Sequence, residues 1–174
     1  GATPAGAAPE GDAGNETSAW SGPDQQVVKL SNPMSENYEY VRNSSLPFLL
    51  NAEAVSAHAA YPHHIFEVGK VARFDERENH GVRTVDSLAF VSADSDANFT
   101  QVAGHVSVLF YYLARDYELA ETDDPRFIPG RVAEIRTGGR SVGVFGELHP
   151  QVLENFGITV PATVCEIDLN LVHG

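Results

Sequence analysis

Cysteine is almost missing from this chain: Cys165 stands alone among 174 residues. A single thiol excludes an internal disulfide framework, and without a Cys-x-x-Cys there is no thiolate-held zinc site. Lysine is nearly as scarce. Lys29 and Lys70 are the only two, beside 24 acidic residues and a formal charge of −13. A sequence-independent grip on nucleic acid needs cations to displace phosphate counterions, so a large DNA- or RNA-binding face is excluded. No apolar run approaches the ~18 residues of a membrane helix, and no basic start followed by an apolar stretch marks a secretion signal. The expectation is a soluble protein of a reducing cytoplasm, without membrane attachment.

What is present supports one folded domain. The 43% hydrophobic content and 9 Phe are ample for a core at this length. Self-repulsion at this negative charge opposes compaction in dilute buffer, whereas molar salt shortens the Debye length to about 3 Å. The acid-rich, lysine-poor composition therefore suits a salt-rich cytosol.

Residues 1–26 are rich in Gly, Ala and Pro, with Trp20 the only large apolar side chain. Such a stretch buries too little to offset its ordering entropy, so it reads as a flexible linker or insertion, with the core domain over 27–174. The chain starts without Met and reads as a segment of something longer. VVKLSNP predicts a short strand stopped at Asn32-Pro33. SENYEYVRNSSLPFLLNAEAVSAHA predicts helix in two pieces, Ser35 capping the first and Ser44 or Ser45 the second, with Pro47 tolerated in a first turn. HIFEVGKVARF and RTVDSLAFVSA alternate as strands. Val102, Val106, Leu109, Phe110 and Leu113 fall on one face of a helix over 98–114. YELAE is a short strand. RVAEIRT and RSVGVFGEL form a hairpin whose turn, Gly138-Gly139, supplies positive φ. HPQVLENFG is a short helix with Pro150 in its first turn and Gly157 as its left-handed cap, and ATVCEIDLNLV is a closing strand. Regular strand-helix alternation is missing, so the expected class is α+β, a mostly antiparallel sheet flanked by helices.

Few residues point to chemistry. His58, His63 and His64 lie close in sequence, but adjacent strand residues point to opposite faces, which works against a shared metal. Cys165 sits mid-strand between apolar neighbours and reads as a buried structural thiol, with Glu166 and Asp168 opposing ionisation. Gly143 and Gly146 lie inside a strand without a following Lys, which marks close backbone approach rather than a phosphate loop. Asp94, Asp96, Asp123 and Asp124 fit solvated loops and caps. Arg42 and Arg131, each among apolar residues, are expected in internal ion pairs.

Taken together, several stretches resemble one family. SNPMSENYEYVRNSSLPFLL is similar to the Asn-Pro-x-Ser…Arg-x-Ser-Leu-x-Pro-x-Leu-Leu signature of the phenylalanyl-tRNA synthetase β subunit, and IFEVGKV to the strand that follows it. SADSDANFTQV, FIPGRVAEI and VGVFGELHPQVLENFGI then occur in the order of archaeal and eukaryotic-type β chains, so that the resemblance covers residues 27–171. A halophilic archaeal source would agree with the charge. The resemblance implies a class II aminoacyl-tRNA synthetase-like fold and an α2β2 heterotetramer that ligates phenylalanine to tRNA(Phe), with α carrying the active site.

The resemblance also implies that this copy of the fold is catalytically silent. Class II sites clamp ATP with two arginines, one in a strand-loop and one opening a Gly-rich helix. Arg73 is offered outside the expected Phe-Arg-x-Glu setting, and neither GVFGELHP nor HPQVLENF supplies the second. No catalytic, cofactor or metal residue is therefore expected here, with ATP and Mg2+ bound elsewhere in the holoenzyme and little direct tRNA contact. Arg42, Ser45, Leu46, Pro47, Leu49 and Leu50 fall where the family has its interface helix, and are expected against the α subunit or a second β subunit. Phe48 departs from the small residue usual after Pro. Two alternatives remain: a self-sufficient class II-like enzyme that activates a carboxylate with ATP, and a free-standing acidic interaction module.

Overall fold

The structure, a computed structural model, describes residues 28–29, 40–78 and 80–173. The expectations for residues 1–26 and for capping by Ser35 lie outside them. Six strands form one sheet: β3 (His63–Phe74), β4 (Val82–Ala93), β5 (Glu118–Glu121), β6 (Phe127–Thr137), β7 (Arg140–Leu148) and β8 (Ala162–Asp168). Their order is β3-β4-β8-β7-β6-β5, and every neighbouring pair is antiparallel. Two short strands, β1 (Val28–Lys29) and β2 (Tyr40–Val41), pair separately. The α+β architecture is thus the expected one.

Helices cover both faces. Strand alternation sends Ala162 and Val164 of β8 to one side, where they join Ala89, Val91 and Ala93 of β4 beneath Leu46, Leu49 and Leu50 of α1 (Leu46–Ser56). Cys165 and Ile167 point the other way, to Val102, Val106 and Phe110 of α2 (Phe99–Leu113). Those three α2 side chains are fully buried, worth about 1.5–3 kcal/mol each. Asn98 caps α2 by accepting from the Gln101 amide, and Ala114 ends it in the left-handed region at φ 51°. An L residue bears a cost there, so Ala114→Gly is expected to stabilise the fold by about 1 kcal/mol in urea denaturation. Gly138 and Gly139 close the β6–β7 hairpin at φ 58° and 77°, and Gly157 caps α3 (Pro150–Phe156) at φ 73°.

Two expectations need correcting. The predicted helix does not run through Tyr40 and Val41. These β-prone residues pair with Lys29 and Val28, and the Arg42 carbonyl just beyond accepts the Ala72 amide at 2.9 Å. The final strand also stops early, because Leu169–His173 is a helix, α4. Asn170 has taken over the edge of β4: its Oδ1 accepts the Asp86 amide at 2.7 Å, and its Nδ2 donates to the Asp86 carboxylate at 3.1 Å.

In the β3–β4 connection, Asp75 accepts from the Arg77 amide and from its guanidinium at 2.9 and 3.0 Å. These hydrogen bonds hold the Asp75 carboxyl down to about 2. A depressed acid contributes above its unfolded pKa and loses that contribution as pH falls through the folded one. The turn pairing is therefore expected to weaken only between about pH 4 and pH 2, read by NMR titration of the Asp75 carboxyl. A midpoint near 4 would refute the pairing.

Candidate functional site

The polar centre of the molecule lies on the α1 side of the sheet. Ala162, Val164, Glu166 and Asp168 alternate on that face of β8, and the first two are core. The second two are buried carboxylates. Glu166 Oε1 accepts the Ser45 amide and the Ser87 hydroxyl, both at 2.8 Å, while Oε2 accepts the Ser44 hydroxyl at 2.7 Å. One fully buried acid thus ties β4 and β8 to the residues that open α1. Ser45 occupies the N-cap position without a capping side-chain bond, and it is Ser44 Oγ that accepts the Leu46 amide, at 3.2 Å.

Asp168 gathers a second set. Its Oδ2 accepts from Arg83 Nη2 at 2.7 Å and lies 3.9 Å from Arg73 Nη1, and its Oδ1 accepts the Leu171 amide at 3.2 Å. Arg73 is 8% exposed. Burial pushes its pKa below the usual guanidinium value, while Glu166 and Asp168 push it back up. Farther along the sheet, buried Glu134 accepts from Arg136 Nε at 2.6 Å.

The expected interface residues divide. Leu46, Leu49 and Leu50 are buried in the chain's own core and Ser45 on Glu166, while Pro47 and Phe48 face outward with Val55. Arg42 pairs with Glu67 at 2.5 Å, donates to the Lys70 carbonyl and lies over the Phe48 ring. Arg131 pairs with Glu147 at 2.6 Å, and Glu147 also accepts the Phe99 amide at the start of α2. Both arginines thus have the expected partners.

His63 and His64 do diverge. His63 Nδ1 meets the buried Glu53 carboxylate at 2.9 Å and stacks on Tyr61, whereas His64 bonds Ser92 across the strand pair. His58 bonds the Val55 carbonyl at the end of α1. Among the described residues, no group of three or more His, Cys, Asp or Glu is placed to hold a metal ion. A Cβ at Gly143 would strike the Glu166 carbonyl, and one at Gly146 the Arg131 carbonyl, the close approach read from the sequence. GVFGEL is strand throughout, with no phosphate loop.

Cys165 is fully buried, and burial followed by the Glu166 charge raises its thiol well above the ordinary value. The native protein is expected to leave Cys165 unmodified by an aromatic disulfide reagent until denaturant is added. Rapid native labelling would contradict that burial.

Sequence reasoning missed the Glu166 and Asp168 centre. The available signal was two acids at alternate positions of an otherwise apolar strand, which places both charges on a covered face.

Comparison with known proteins agrees with this architecture. The phenylalanyl tRNA synthetase beta chain CLM domain family matches residues 13–169. The chain belongs to this family. It is 47% identical over 143 residues to the phenylalanine–tRNA ligase beta subunit of Treponema pallidum subsp. pallidum, covering 82% of this chain and 24% of that protein. The corresponding subunits of Borrelia hermsii and Borreliella burgdorferi are 46% and 44% identical, over 83% and 84% of this chain and 26% of each relative. The chain therefore spans about a quarter of the length of these relatives. Among solved structures, a pyrrolysyl tRNA synthetase of Desulfitobacterium hafniense superposes with a TM-score of 0.68 at 14% identity, over 85% of this chain and 51% of that one. That likeness concerns the fold alone. Within this family the chain is a phenylalanyl-tRNA synthetase β module, and the two alternative functions are not favoured.

Proposed function

We propose that this β module is catalytically silent and serves assembly of an α2β2 phenylalanine–tRNA ligase. The observation that carries this reading is the occupied sheet face. Among the described residues, Glu166 and Asp168 engage the serines and arginines of that face, and α4, which leaves β8, contains no arginine, both of which support a module without a triphosphate clamp. In this reading ATP and Mg2+ bind elsewhere in the holoenzyme, tRNA(Phe) contacts this module little, and the enzyme works in the cytoplasm.

The partner-facing surface proposed here is the outer side of α1. Phe48 is 50% and Val55 74% exposed, beside Pro47 and the Arg42 side chain. Such apolar exposure suits burial by the α subunit or a second β subunit. Full-length β is expected to co-purify with α in molar KCl, and the Phe48→Asp/Val55→Asp variant to fold normally yet retain about a tenth or less of the α, for a loss of at least about 1.4 kcal/mol. Undiminished co-purification of the double variant would move the interface off this face. ATP bound by β alone would refute the silent role.

The charge of −13 also supports a halophilic, archaeal-type source as a proposal. Raising KCl from dilute to molar concentration should then raise the melting temperature, because screening removes self-repulsion. A melting temperature that falls or stays flat would refute adaptation to salt.

A further inference from the structure

Two guanidinium groups stand side by side at one end of the β3–β4 ribbon. Arg73 and Arg83 are directly opposed in the strand register. Like charges so placed destabilise a sheet unless an anion lies between them. Here the nearby anion is Asp168, 1% exposed, bonded to Arg83 at 2.7 Å and 3.9 Å from Arg73. Asp75 also approaches Arg83, at 4.0 Å, and Glu166, although close, is engaged by Ser44, Ser45 and Ser87. A carboxylate between two guanidinium groups has the geometry that such groups offer a small oxyanion ligand. The Arg83 side chain remains 25% exposed, which gives the pair an opening to solvent.

We propose that Arg73 and Arg83 form an oxyanion-binding site whose resident ligand is the chain's own Asp168 carboxylate, and which admits an external carboxylate only when Asp168 is removed. The proposal rests on the silent-module reading and gives it a cause: the one paired-arginine centre described on this face is filled from within. Asp168→Ala opens the space of a carboxylate. Asp168→Ser does so while leaving a hydroxyl able to accept the Leu171 amide, which preserves the start of α4.

The test uses full-length β subunit in the assembled enzyme and follows hydrogen exchange in peptides covering residues 71–85 and 162–173. In chloride, both variants should exchange about tenfold faster than wild type in these segments, because the carboxylate that bonds Arg83 and lies beside Arg73 has gone. Formate at the same ionic strength should restore protection to both variants and leave wild type unchanged. Adding Arg83→Gln to the Asp168→Ser variant should abolish the formate response. The proposal is overturned if a folded Asp168→Ser variant ignores formate, if chloride protects equally, if the response survives Arg83→Gln, or if wild type responds as the variants do. Loss of protection across the whole sheet in Asp168→Ala shifts the decision to Asp168→Ser. Wild-type ATP binding would refute catalytic silence separately, whatever formate does.

Discussion

Glu166→Ala should be among the most damaging single substitutions in this module, with an expected loss of about 3–5 kcal/mol. The carboxylate is fully buried and receives three hydrogen bonds, one from the Ser45 backbone amide, which has no side chain to rotate toward water. Its removal leaves those donors unmet and takes a counter-charge from Arg73, whose pKa it helps to hold up. Glu166→Gln keeps the shape and part of the acceptor capacity, so its loss should be smaller. Urea denaturation of both variants decides the matter. A change below about 1 kcal/mol for Glu166→Ala would show that apolar packing alone seats α1.

Leu50→Asp should be comparably severe, for a different reason. Leu50 is buried among Leu46, Leu49 and the β4 core residues, so the new carboxylate would enter an apolar layer. Leu50→Ala alone should cost about 2–5 kcal/mol, and the charged variant more. The residue was expected at a subunit interface, where Asp would block assembly and spare the sheet. Its position instead predicts loss of folding first and of assembly as a consequence. Circular dichroism of Leu50→Asp beside Phe48→Asp/Val55→Asp separates the cases. A native spectrum for Leu50→Asp would return the residue to an interface.

That reversal shows where sequence pattern runs out. Helix α2 was legible because Val102, Val106 and Phe110 recur every four residues and so fall on one face of a helix. The β6–β7 hairpin was legible because Gly138-Gly139 supplies a backbone conformation that other residues resist. In α1, by contrast, Leu46, Phe48, Leu49, Leu50 and Val55 surround much of the helix, so apolar character alone does not say which side faces inward. Glu166 and Asp168 were illegible as a centre because acids are usually solvated, and their donors come from residues far away in sequence. The pairing of β8 between β4 and β7 is likewise non-local, whereas hairpins announce themselves through their turns.

The place of β8 governs the order in which the molecule can close during synthesis. β3 with β4, and β5 with β6 and β7, can each form from neighbouring segments, but among the described strands only β8 joins these two ribbons. The two helix-covered layers both include β8 residues, and Glu166 binds Ser45 across 121 positions of sequence. Until the ribosome releases Ala162–Asp168, the nascent chain holds two half-sheets with exposed inner edges and α1 without its anchor. Completion then requires large loops to close at once, a high-contact-order step that is slow compared with helix or hairpin formation. Among the described strands, β8 is thus the one that turns separate ribbons into a single sheet.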